Sequence, residues 1–308
     1  MKKFCTIMFS MEILKDLRII ENSCVGLGFF DGVHLGHTKL INDLYNIAIT
    51  ENCPSVILTF KNSPAEIFFN DVDYLTSSKE RECLINNLGI KYMVELDFDK
   101  KLMSMTADDY LREVIHKYFK PRYILCGFNH TFGKGKKGNT KFLRDSKEKY
   151  DYNFVEIPPV TYDGEVISST LIKKYLSEGN IIRANEMLGH KFSISGIVIK
   201  GNQIGQKIGF PTANILYPAY KSKIPFGVYC AEVDIEGQCY KGMLNYGIKP
   251  TIKSNNNEPV AEVHILGFNN NIYGKKIKIS IVNKIRDEQK FNSLEELKLQ
   301  IKKDLIKC

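Results

Sequence analysis

The stretch SCVGLGFFDGVHLGHTKLINDLYNIAI, residues 23–49, sets the expected fold of the first half of the chain. An apolar run that favours a strand leads into a glycine-rich turn, and a segment with apolar residues at helical spacing follows. The same alternation returns in SVILTF, KYMVELDF, DDYLREVIHKYF and RYILCGF. Strands separated by helices predict an α/β domain with a parallel sheet and right-handed crossovers, which binds ligands beyond the carboxyl ends of its strands. The turn at residues 28–37 lies at such an end.

Two histidines, His34 and His37, stand three residues apart at the expected start of the helix. This spacing puts both side chains on one face, where the free backbone N–H groups of a helix start attract anions. Glycines let a ligand approach the main chain, and imidazolium groups can stabilise the charge that develops when a phosphoanhydride bond breaks. A polyphosphate site is the sharper interpretation. A capped helix start with two surface histidines and a metal site with Asp31 as third ligand stay open as alternatives.

The composition is that of a folded protein that binds small anions. Of the 308 residues, 44% are apolar and 25% are charged, a length and a balance that suit two ordinary domains. The net charge of +8 is scattered along the chain, so phosphorylated small molecules fit it better than nucleic acid or a membrane surface. No apolar stretch approaches the ~18 residues of a membrane span.

Cysteine usage and the first residues both indicate a cytoplasmic protein. The eight cysteines form no C-x-x-C pair and lack the density of a small secreted scaffold, which suggests a reducing compartment. The opening MKKFCTIMFSM is like a signal peptide until Glu12, Lys15 and Asp16 follow without a small-residue cleavage site. We therefore expect an early strand there. The sequence leaves the oligomeric state open.

The second half of the chain changes to short strands at close spacing. Two helical pieces that Gly179 and Gly189 can end come first. Five segments separated by turn residues then predict a small antiparallel β-barrel: FSISGIVIK, FGVYCAEVDI, QCYKGMLNYG, PVAEVHILGF and KKIKISIVNKI. A closing helix is expected over SLEELKLQIKKDLI, with Ser293 and Glu296 as a capping box. The expected domains are residues 1–188 and 189–308.

The segment GNQIGQKIGFPTAN, residues 201–214, combines glycines with hard oxygen ligands. It is not a Walker loop, because it has no G-K-[ST] and no obvious helix follows. Thr212 and Asn214 are two apart on an extended segment and project to the same side, as ligands of Mg²⁺ would. Glu262 and His264 likewise share a strand face, and a carboxylate there could accept the proton of an attacking hydroxyl. From spacing alone, a glycine-rich barrel loop and a solvated strand face are the alternatives.

GFFDGVHLGH resembles the first signature of the nucleotidylyltransferase superfamily, and specifically the adenylyltransferase half of bacterial bifunctional riboflavin kinase/FAD synthetases. CGFNHTFGKGKKGN is similar to the family's substrate-pocket motif, and ISST at residues 167–170 resembles its nucleotide-binding helix start. The resemblance implies a Rossmann-like domain in which His34 and His37 assist attack on the α-phosphorus of ATP. The implied FMN-binding residues are Asn129 and Phe132. The implied ATP-binding residues are Gly28, Phe30, Asp31, Gly32, His34, Gly36, His37, Ser168, Ser169, Thr170 and Lys173.

In the second half, G-x-P-T-A-N and E-x-H resemble the riboflavin kinase domain of the same family. The resemblance implies that Thr212 and Asn214 bind Mg–ATP and that Glu262 is the base for the ribityl 5′-hydroxyl. A surface ion pair is the alternative for Arg286 and Glu288. The implied flavin-binding residues are Arg286, Glu288 and Phe291, and the implied ATP-binding residues of this half are Gly201, Gly205, Gly209, Pro211, Thr212 and Asn214.

The implied function is phosphorylation of riboflavin to FMN with ATP and Mg²⁺, followed by adenylylation of FMN to FAD with a second ATP. Four positions depart from the family's common residues: Leu171 and Lys173 stand in place of arginines, Ser63 in place of a histidine and Phe29 in place of a polar residue. A lysine ammonium interacts with a phosphate as a point charge and cannot form the two parallel hydrogen bonds that an arginine guanidinium makes. These departures leave open a riboflavin kinase with an inactive or regulatory first domain. The alternatives from other classes are a nucleic-acid-binding barrel, which lacks the expected interleaved aromatic and basic patches, and a flavin-binding regulator without turnover.

Overall fold

A six-stranded parallel sheet carries the first half of the chain in the computed structural model, which describes residues 10–67, 72–201, 204–248 and 259–308. The chain divides into two units, Met1–Ser168 and Ser169–Cys308. The two helices before Gly189 belong to the second unit, and the boundary expected after residue 188 stays a prediction. Most of the opening segment that we expect to form an early strand lies outside the described residues.

The first unit contains ten strands and six α-helices in its described part. The strands are Glu12–Leu14 (β1), Cys24–Leu27 (β2), Ser55–Phe60 (β3), Tyr92–Leu96 (β4), Tyr123–Gly127 (β5), Thr131–Phe132 (β6), Gly138–Asn139 (β7), Asn153–Ile157 (β8), Thr161–Tyr162 (β9) and Glu165–Val166 (β10). The helices are Leu35–Thr50 (α1), Ser78–Asn86 (α2), Lys100–Ser104 (α3), Ala107–Tyr110 (α4), Lys117–Phe119 (α5) and Thr140–Asp145 (α6). A π-helical segment, Leu111–His116, joins α4 to α5, and short 3₁₀ turns lie at Asp31–Val33, Pro64–Ile67 and Lys134–Lys136.

The main sheet of this unit has the strand order β1-β4-β3-β2-β5-β8, and every pair in it is parallel. Alternate residues of β2 pack into two separate cores: Val25 with the π-helical segment, and Cys24 with α1. Both faces are therefore covered, as parallel sheets require. The predicted α/β fold is confirmed, and the glycine-rich turn leaves the carboxyl end of β2 in the middle of the sheet.

The second unit contains four α-helices and six strands in its described part. The helices are Ser169–Ser177 (α7), Ile181–Leu188 (α8), Ile204–Lys207 (α9) and Leu294–Leu305 (α10). The strands are Ser193–Ile197 (β11), Thr212–Leu216 (β12), Gly227–Ile235 (β13), Gln238–Ile248 (β14), Pro259–Ile265 (β15) and Lys276–Asp287 (β16). Across the described part of the chain, every helix is too short or too polar to span a membrane.

The six strands form the predicted antiparallel barrel, in the order β11-β16-β13-β14-β15-β12. The Ile199 N–H donates to the Asn214 carbonyl at 2.8 Å, which joins the two ends of the sheet and nearly closes it. The closing helix α10 is present. The Ser293 hydroxyl caps it by accepting from the Glu296 N–H at 3.2 Å, but the Glu296 carboxylate accepts from the N–H of Asn292, so the predicted capping box is only half formed.

Two cysteines are paired in a way that their spacing did not predict. Cys230 on β13 forms a disulfide with Cys308, which follows α10. The Lys241 ammonium also donates to the Cys308 carbonyl at 2.9 Å. The disulfide therefore ties the end of the closing helix to the barrel wall.

Candidate active sites

The turn that follows β2 has an unusual backbone. Phe30, Gly32 and Val33 all adopt positive φ angles of 58°, 84° and 40°. The Phe30 ring folds back under the chain, so a Cβ atom at Gly28 would lie 2.9 Å from it. A side chain at position 28 would have to displace the buried Phe30 ring, which favours glycine there. The strained angles of Phe30 and Val33 persist because neighbouring groups hold them.

Asp31 is one of those neighbours. Its side chain is buried, and its Oδ1 accepts from the N–H groups of Leu75 at 2.9 Å and Thr76 at 3.1 Å. The Gly32 N–H donates in turn to the Thr76 hydroxyl at 2.9 Å. These bonds brace the turn from within and do not favour a metal site at Asp31. The described residues also contain no cluster of three His, Cys, Asp or Glu side chains that could hold a metal ion.

His34 and His37 lie together at the start of α1, as their spacing predicts. Their rings are stacked with centroids 3.6 Å apart. The His37 N–H donates to His34 Nδ1 at 3.3 Å, so that nitrogen is an acceptor and the N–H of the neutral His34 ring is on Nε2. His37 Nδ1 is buried, and the described residues offer it no hydrogen-bond partner.

The sequence predicts imidazolium groups at His34 and His37, and the surroundings of His37 bear on its protonation. Burial lowers the pKa of His37 well below its usual range, and the neighbouring His34 and the Arg81 guanidinium lower it further. His37 is therefore neutral near pH 7 while the site holds no anion. A bound anion would oppose the effects of burial and of the two neighbours and so favour the imidazolium.

An apolar cavity of about 350 Å³ opens beside the turn. Phe132 is in its wall, as predicted, whereas Asn129 is exposed and outside the lining. Burial lowers the pKa of His130, another lining residue, to about 4. The remaining walls come from Leu27, Gly28, Leu58, Phe60, Phe98, Leu102, Met103, Tyr110, Thr131, Gly133, Gly135 and Lys136.

The predicted helix-start motif lies where the chain passes from one unit to the other. Ser168 ends the first unit, and α7 begins at Ser169 in the second. Ser168, Ser169 and Lys173 are half-buried, and Thr170 is exposed. Their contacts with ATP stay predictions.

In the barrel, Thr212 and Glu262 are in direct contact. They lie on the adjacent strands β12 and β15, and the Thr212 hydroxyl donates to Glu262 Oε1 at 2.5 Å. In the register, Asn214 is opposite Glu262 and Thr212 is opposite His264. Four candidate residues from segments 50 positions apart thus meet on one patch of sheet.

The glycines before β12 permit close packing around this patch. A Cβ atom at Gly201 would lie 2.5 Å from the Asn214 amide nitrogen, and one at Gly205 would lie 2.3 Å from the Phe210 carbonyl. Gly209 has φ +86°, which suits glycine. The exposed Pro211 offers its carbonyl to His264 Nδ1 at 2.8 Å, which puts the proton of a neutral His264 ring on Nδ1.

A cavity of about 460 Å³ brings most of the predicted kinase residues together. Thr212 and Glu262 lie in one wall, and the predicted flavin-binding residues Arg286, Glu288 and Phe291 lie in another. Helix α10 supplies the apolar side chains of Leu297 and Ile301. The other lining residues are Gly205, Ile208, Phe210, Val228, Met243, Asn245, His264 and Gln289.

Arg286 is held in place from behind. Its Nε donates to the fully buried Asp304 carboxylate at 2.8 Å, and its guanidinium carbon lies 5.7 Å from the Phe291 ring centroid. Gln300 donates to the second oxygen of Asp304 at 2.8 Å. Arg286 is therefore an anchored residue of the cavity wall, and its observed ion-pair partner is Asp304.

A second cavity of about 580 Å³ also includes Thr212 and Pro211 in its lining. Its other walls come from Val198, Gln206, Ala213, Ile265, Phe268, Asn269, Asn270, Asn271, Ile272 and Tyr273. Of these, Tyr273 lies in the segment YGKKI, residues 273–277, which resembles the kinase family, whereas the three asparagines carried no such signal. Thr212 is the candidate residue that the two cavities share.

Comparison with known proteins matches both units. A FAD synthetase family model matches residues 17–171, and a riboflavin kinase family model matches residues 188–308. The bifunctional riboflavin kinase/FMN adenylyltransferase of Buchnera aphidicola subsp. Schizaphis graminum is 36% identical over 94% of this chain and 93% of its own length. The Escherichia coli K12 protein of the same name is 32% identical over 92% and 91%.

The chain belongs to the bifunctional riboflavin kinase/FMN adenylyltransferase family. A solved structure from Streptococcus pneumoniae, described as a macrolide-efflux protein, shares its fold, with a TM-score of 0.87 and 31% identity over 96% of this chain and 98% of that one. Because the FAD synthetase model matches the first unit as well, the family assignment does not favour a kinase with a degenerate first domain.

Proposed function

We propose that the barrel phosphorylates riboflavin to FMN and that the first unit adenylylates FMN to FAD, each reaction with its own ATP. The observation that carries the proposal is the contact between Thr212 and Glu262, which sets a hydroxyl and a carboxylate side by side in the wall of a largely apolar cavity. At about 460 Å³, that cavity lies within the range of small-molecule sites.

In the kinase reaction, Glu262 accepts the proton of the ribityl 5′-hydroxyl as its oxygen attacks the γ-phosphorus of ATP. The bond from the γ-phosphorus to the bridging oxygen breaks, and ADP leaves with that electron pair. The carboxylate supplies general base catalysis, and the cavity walls hold the two substrates in line. No covalent enzyme intermediate forms.

The two barrel cavities suit the two substrates of this reaction. The cavity that contains Arg286, Glu288 and Phe291 offers an aromatic wall and hydrogen-bonding groups for an isoalloxazine ring. The second cavity, of about 580 Å³, is lined in part by Tyr273 and three asparagines and receives ATP. Thr212 borders both, so the γ-phosphate would lie next to Glu262.

The residues around Thr212 also suit magnesium. The side-chain oxygens of Thr212 and Asn214 are hard donors, which Mg²⁺ prefers when phosphates and waters supply its other ligands. These two residues would hold it. When bound, Mg²⁺ neutralises charge on the transferring phosphates.

In the first unit, a phosphate oxygen of FMN attacks the α-phosphorus of the second ATP, and pyrophosphate leaves. The turn from Gly28 to Gly36 holds the phosphates with its main chain, and Phe132 packs against the flavin. His34 donates from Nε2, and His37 gains a proton as the polyphosphate arrives, so both stabilise the charge that develops at the α-phosphate.

The proposal makes riboflavin, FMN and ATP the partners of the protein and does not involve nucleic acid or a membrane. The product of the barrel reaction is the substrate of the other unit. The use of ATP in both reactions supports a cytoplasmic location, whereas the Cys230–Cys308 disulfide departs from the reduced cysteines expected there.

A pair of product assays tests both halves. The purified protein is incubated with Mg-ATP and either riboflavin or FMN, and the flavins are separated by chromatography, with EDTA and ATP-free reactions as controls. We expect FAD from both starting points, with FMN as the intermediate from riboflavin. If riboflavin stops at FMN and supplied FMN stays unchanged, the assignment of the first unit is wrong.

A further inference from the structure

A buried guanidinium lies behind the phosphate-binding turn, and the proposed chemistry leaves it without a role. The side chain of Arg81, on α2, is only 3% exposed. Its Nη1 donates to the Phe29 carbonyl at 3.3 Å, and its Nη2 donates to the Phe60 carbonyl at 2.8 Å. Phe29 stands two residues beyond β2, and Phe60 ends β3. One planar group therefore joins the carboxyl ends of two neighbouring strands.

Arg81 belongs to a small cluster of charged side chains. Arg81 donates to Glu95 Oε1 at 2.6 Å, and Lys15 donates to the other oxygen of that carboxylate at 2.6 Å. Two cations thus share one carboxylate that is itself 1% exposed. A buried ion pair is weak evidence for stability, because apolar side chains of similar volume often serve as well. Lys15 also pairs with Glu82 at 3.2 Å, so the cluster holds two cations and two carboxylates. The bonds from Arg81 to the ends of two strands therefore call for another reason than charge pairing.

Two further contacts direct this charge to the site. The guanidinium carbon lies 5.0 Å from the Phe29 ring centroid, so the departure from a polar residue at position 29 gives Arg81 an aromatic face. The charged and titratable groups that act on His37 are His34 on its own helix and Arg81 on α2. Arg81 Nε is also buried and has no partner among the described residues.

We propose that Arg81 is a positioning residue for adenylyl transfer: it fixes the Phe29 carbonyl, and with it the turn that receives the ATP phosphates, and it holds a positive charge behind that turn. The inference rests on the proposed function of the first unit. The planar guanidinium acts as a rigid fork of N–H donors that binds two carbonyls and a carboxylate at once. A lysine ammonium cannot reproduce this geometry. The strained turn therefore keeps its shape only while the guanidinium is present.

The test compares the full-length protein with Arg81→Met, which removes the charge, and Arg81→Lys, which keeps the charge but loses the fork. Arg112→Met is the matched control, because Arg112 is 49% exposed and pairs only with nearby acidic side chains. For each protein, kcat and KM for ATP in FMN adenylylation are measured across pH. Riboflavin phosphorylation in the same molecule and the unfolding transition report whether the fold is intact.

We expect Arg81→Met to lower kcat/KM for ATP in adenylylation by about a hundredfold, the cost of a small misplacement of reacting groups, and to leave riboflavin phosphorylation unchanged. Loss of the positive charge makes His37 easier to protonate, so the basic limb of the pH profile, where His37 loses its proton, moves to higher pH in Arg81→Met. In Arg81→Lys that limb stays in place and part of the rate returns. Arg112→Met behaves as the parent.

Adenylylation by Arg81→Met at the rate of the parent overturns the proposal. An equal loss at every pH in both variants, with the basic limb unmoved, also overturns it, because a merely structural residue would act in that way. If Arg81→Met does not fold, Arg81→Lys decides: a parental rate and profile refute the role of the fork. If the parent itself makes no FAD, the proposed function fails instead, and NMR titration of His37 in the unliganded proteins still tests the effect of the charge.

Discussion

Replacing Glu262 by Gln should remove the kinase reaction and nothing else. Glutamine has nearly the same size as glutamate and keeps an oxygen that can accept from the Thr212 hydroxyl, the contact that joins β12 and β15 in this wall. The amide cannot take the proton of the ribityl hydroxyl. The substitution therefore isolates the base from the packing around it.

The size of the effect follows from that separation. A positioned general base contributes about 10²- to 10⁴-fold, so riboflavin phosphorylation should fall by about that factor, or about 3–5 kcal/mol in the activation free energy. KM for riboflavin should change little, because Arg286 and Phe291 stay in place. Conversion of supplied FMN to FAD should be unaffected, since it takes place in the other unit.

Single-turnover product chromatography with radiolabelled ATP measures both reactions in one preparation. Glu232→Gln is the matched control, because Glu232 is a glutamate of the barrel that pairs with Lys191 away from both cavities. Kinase activity of Glu262→Gln at the parental rate would refute the assignment of the base. Loss of both reactions in a folded protein would refute independent sites.

Other perturbations test the remaining features of the two units. Replacing both His34 and His37 by Ala should abolish conversion of FMN to FAD and spare riboflavin phosphorylation; FAD formation at the parental rate in the flavin product assay would remove their assignment. Replacing Cys308 by Ser should lower the free energy of unfolding of the oxidised protein by about 4 kcal/mol, because the disulfide spans a sequence separation of 78 residues. Denaturant unfolding with and without dithiothreitol checks this, and a parent protein that is equally stable in both conditions contradicts it. Burial lowers the pKa of His130 to about 4, so below the unfolded value of about 6.5 the unfolded chain takes up a proton that the folded unit refuses. Stability should therefore fall as the pH drops from about 6.5 towards 4; melting curves across this range test it, and His130→Asn should flatten the dependence.

The parts of the fold that sequence predicts well are those set by local periodicity. The run SVILTF coincides with β3, and the amphipathic segment after the glycine-rich turn becomes α1. Gly189 ends α8 with a φ of 74°, as a glycine at a helix end predicts. In each case the signal and the structure span the same short stretch of chain.

The site contacts that sequence missed depend on residues far apart in the chain. The register that sets Asn214 opposite Glu262 is fixed by the packing of the whole barrel, and no spacing within either segment encodes it. Arg81 lies in a helix of mostly polar residues, where an arginine is expected to face solvent. It is buried because it packs against the chain at the ends of β2 and β3, where it donates to the carbonyls of Phe29 and Phe60. For the same reason the spacing of Cys230 and Cys308 carried no sign of their pairing.

The two sites offset phosphate charge in different ways, which bears on how each discriminates its nucleotide. In the first unit, the histidines next to the turn are neutral without a ligand, and a buried cation stands behind the backbone. In the barrel, the described residues that line the proposed ATP cavity include no lysine, arginine or histidine, so the protein there offers mainly oxygen donors and amide groups. A polyphosphate bound against such a surface must bring its own counter-charge, as Mg-ATP does.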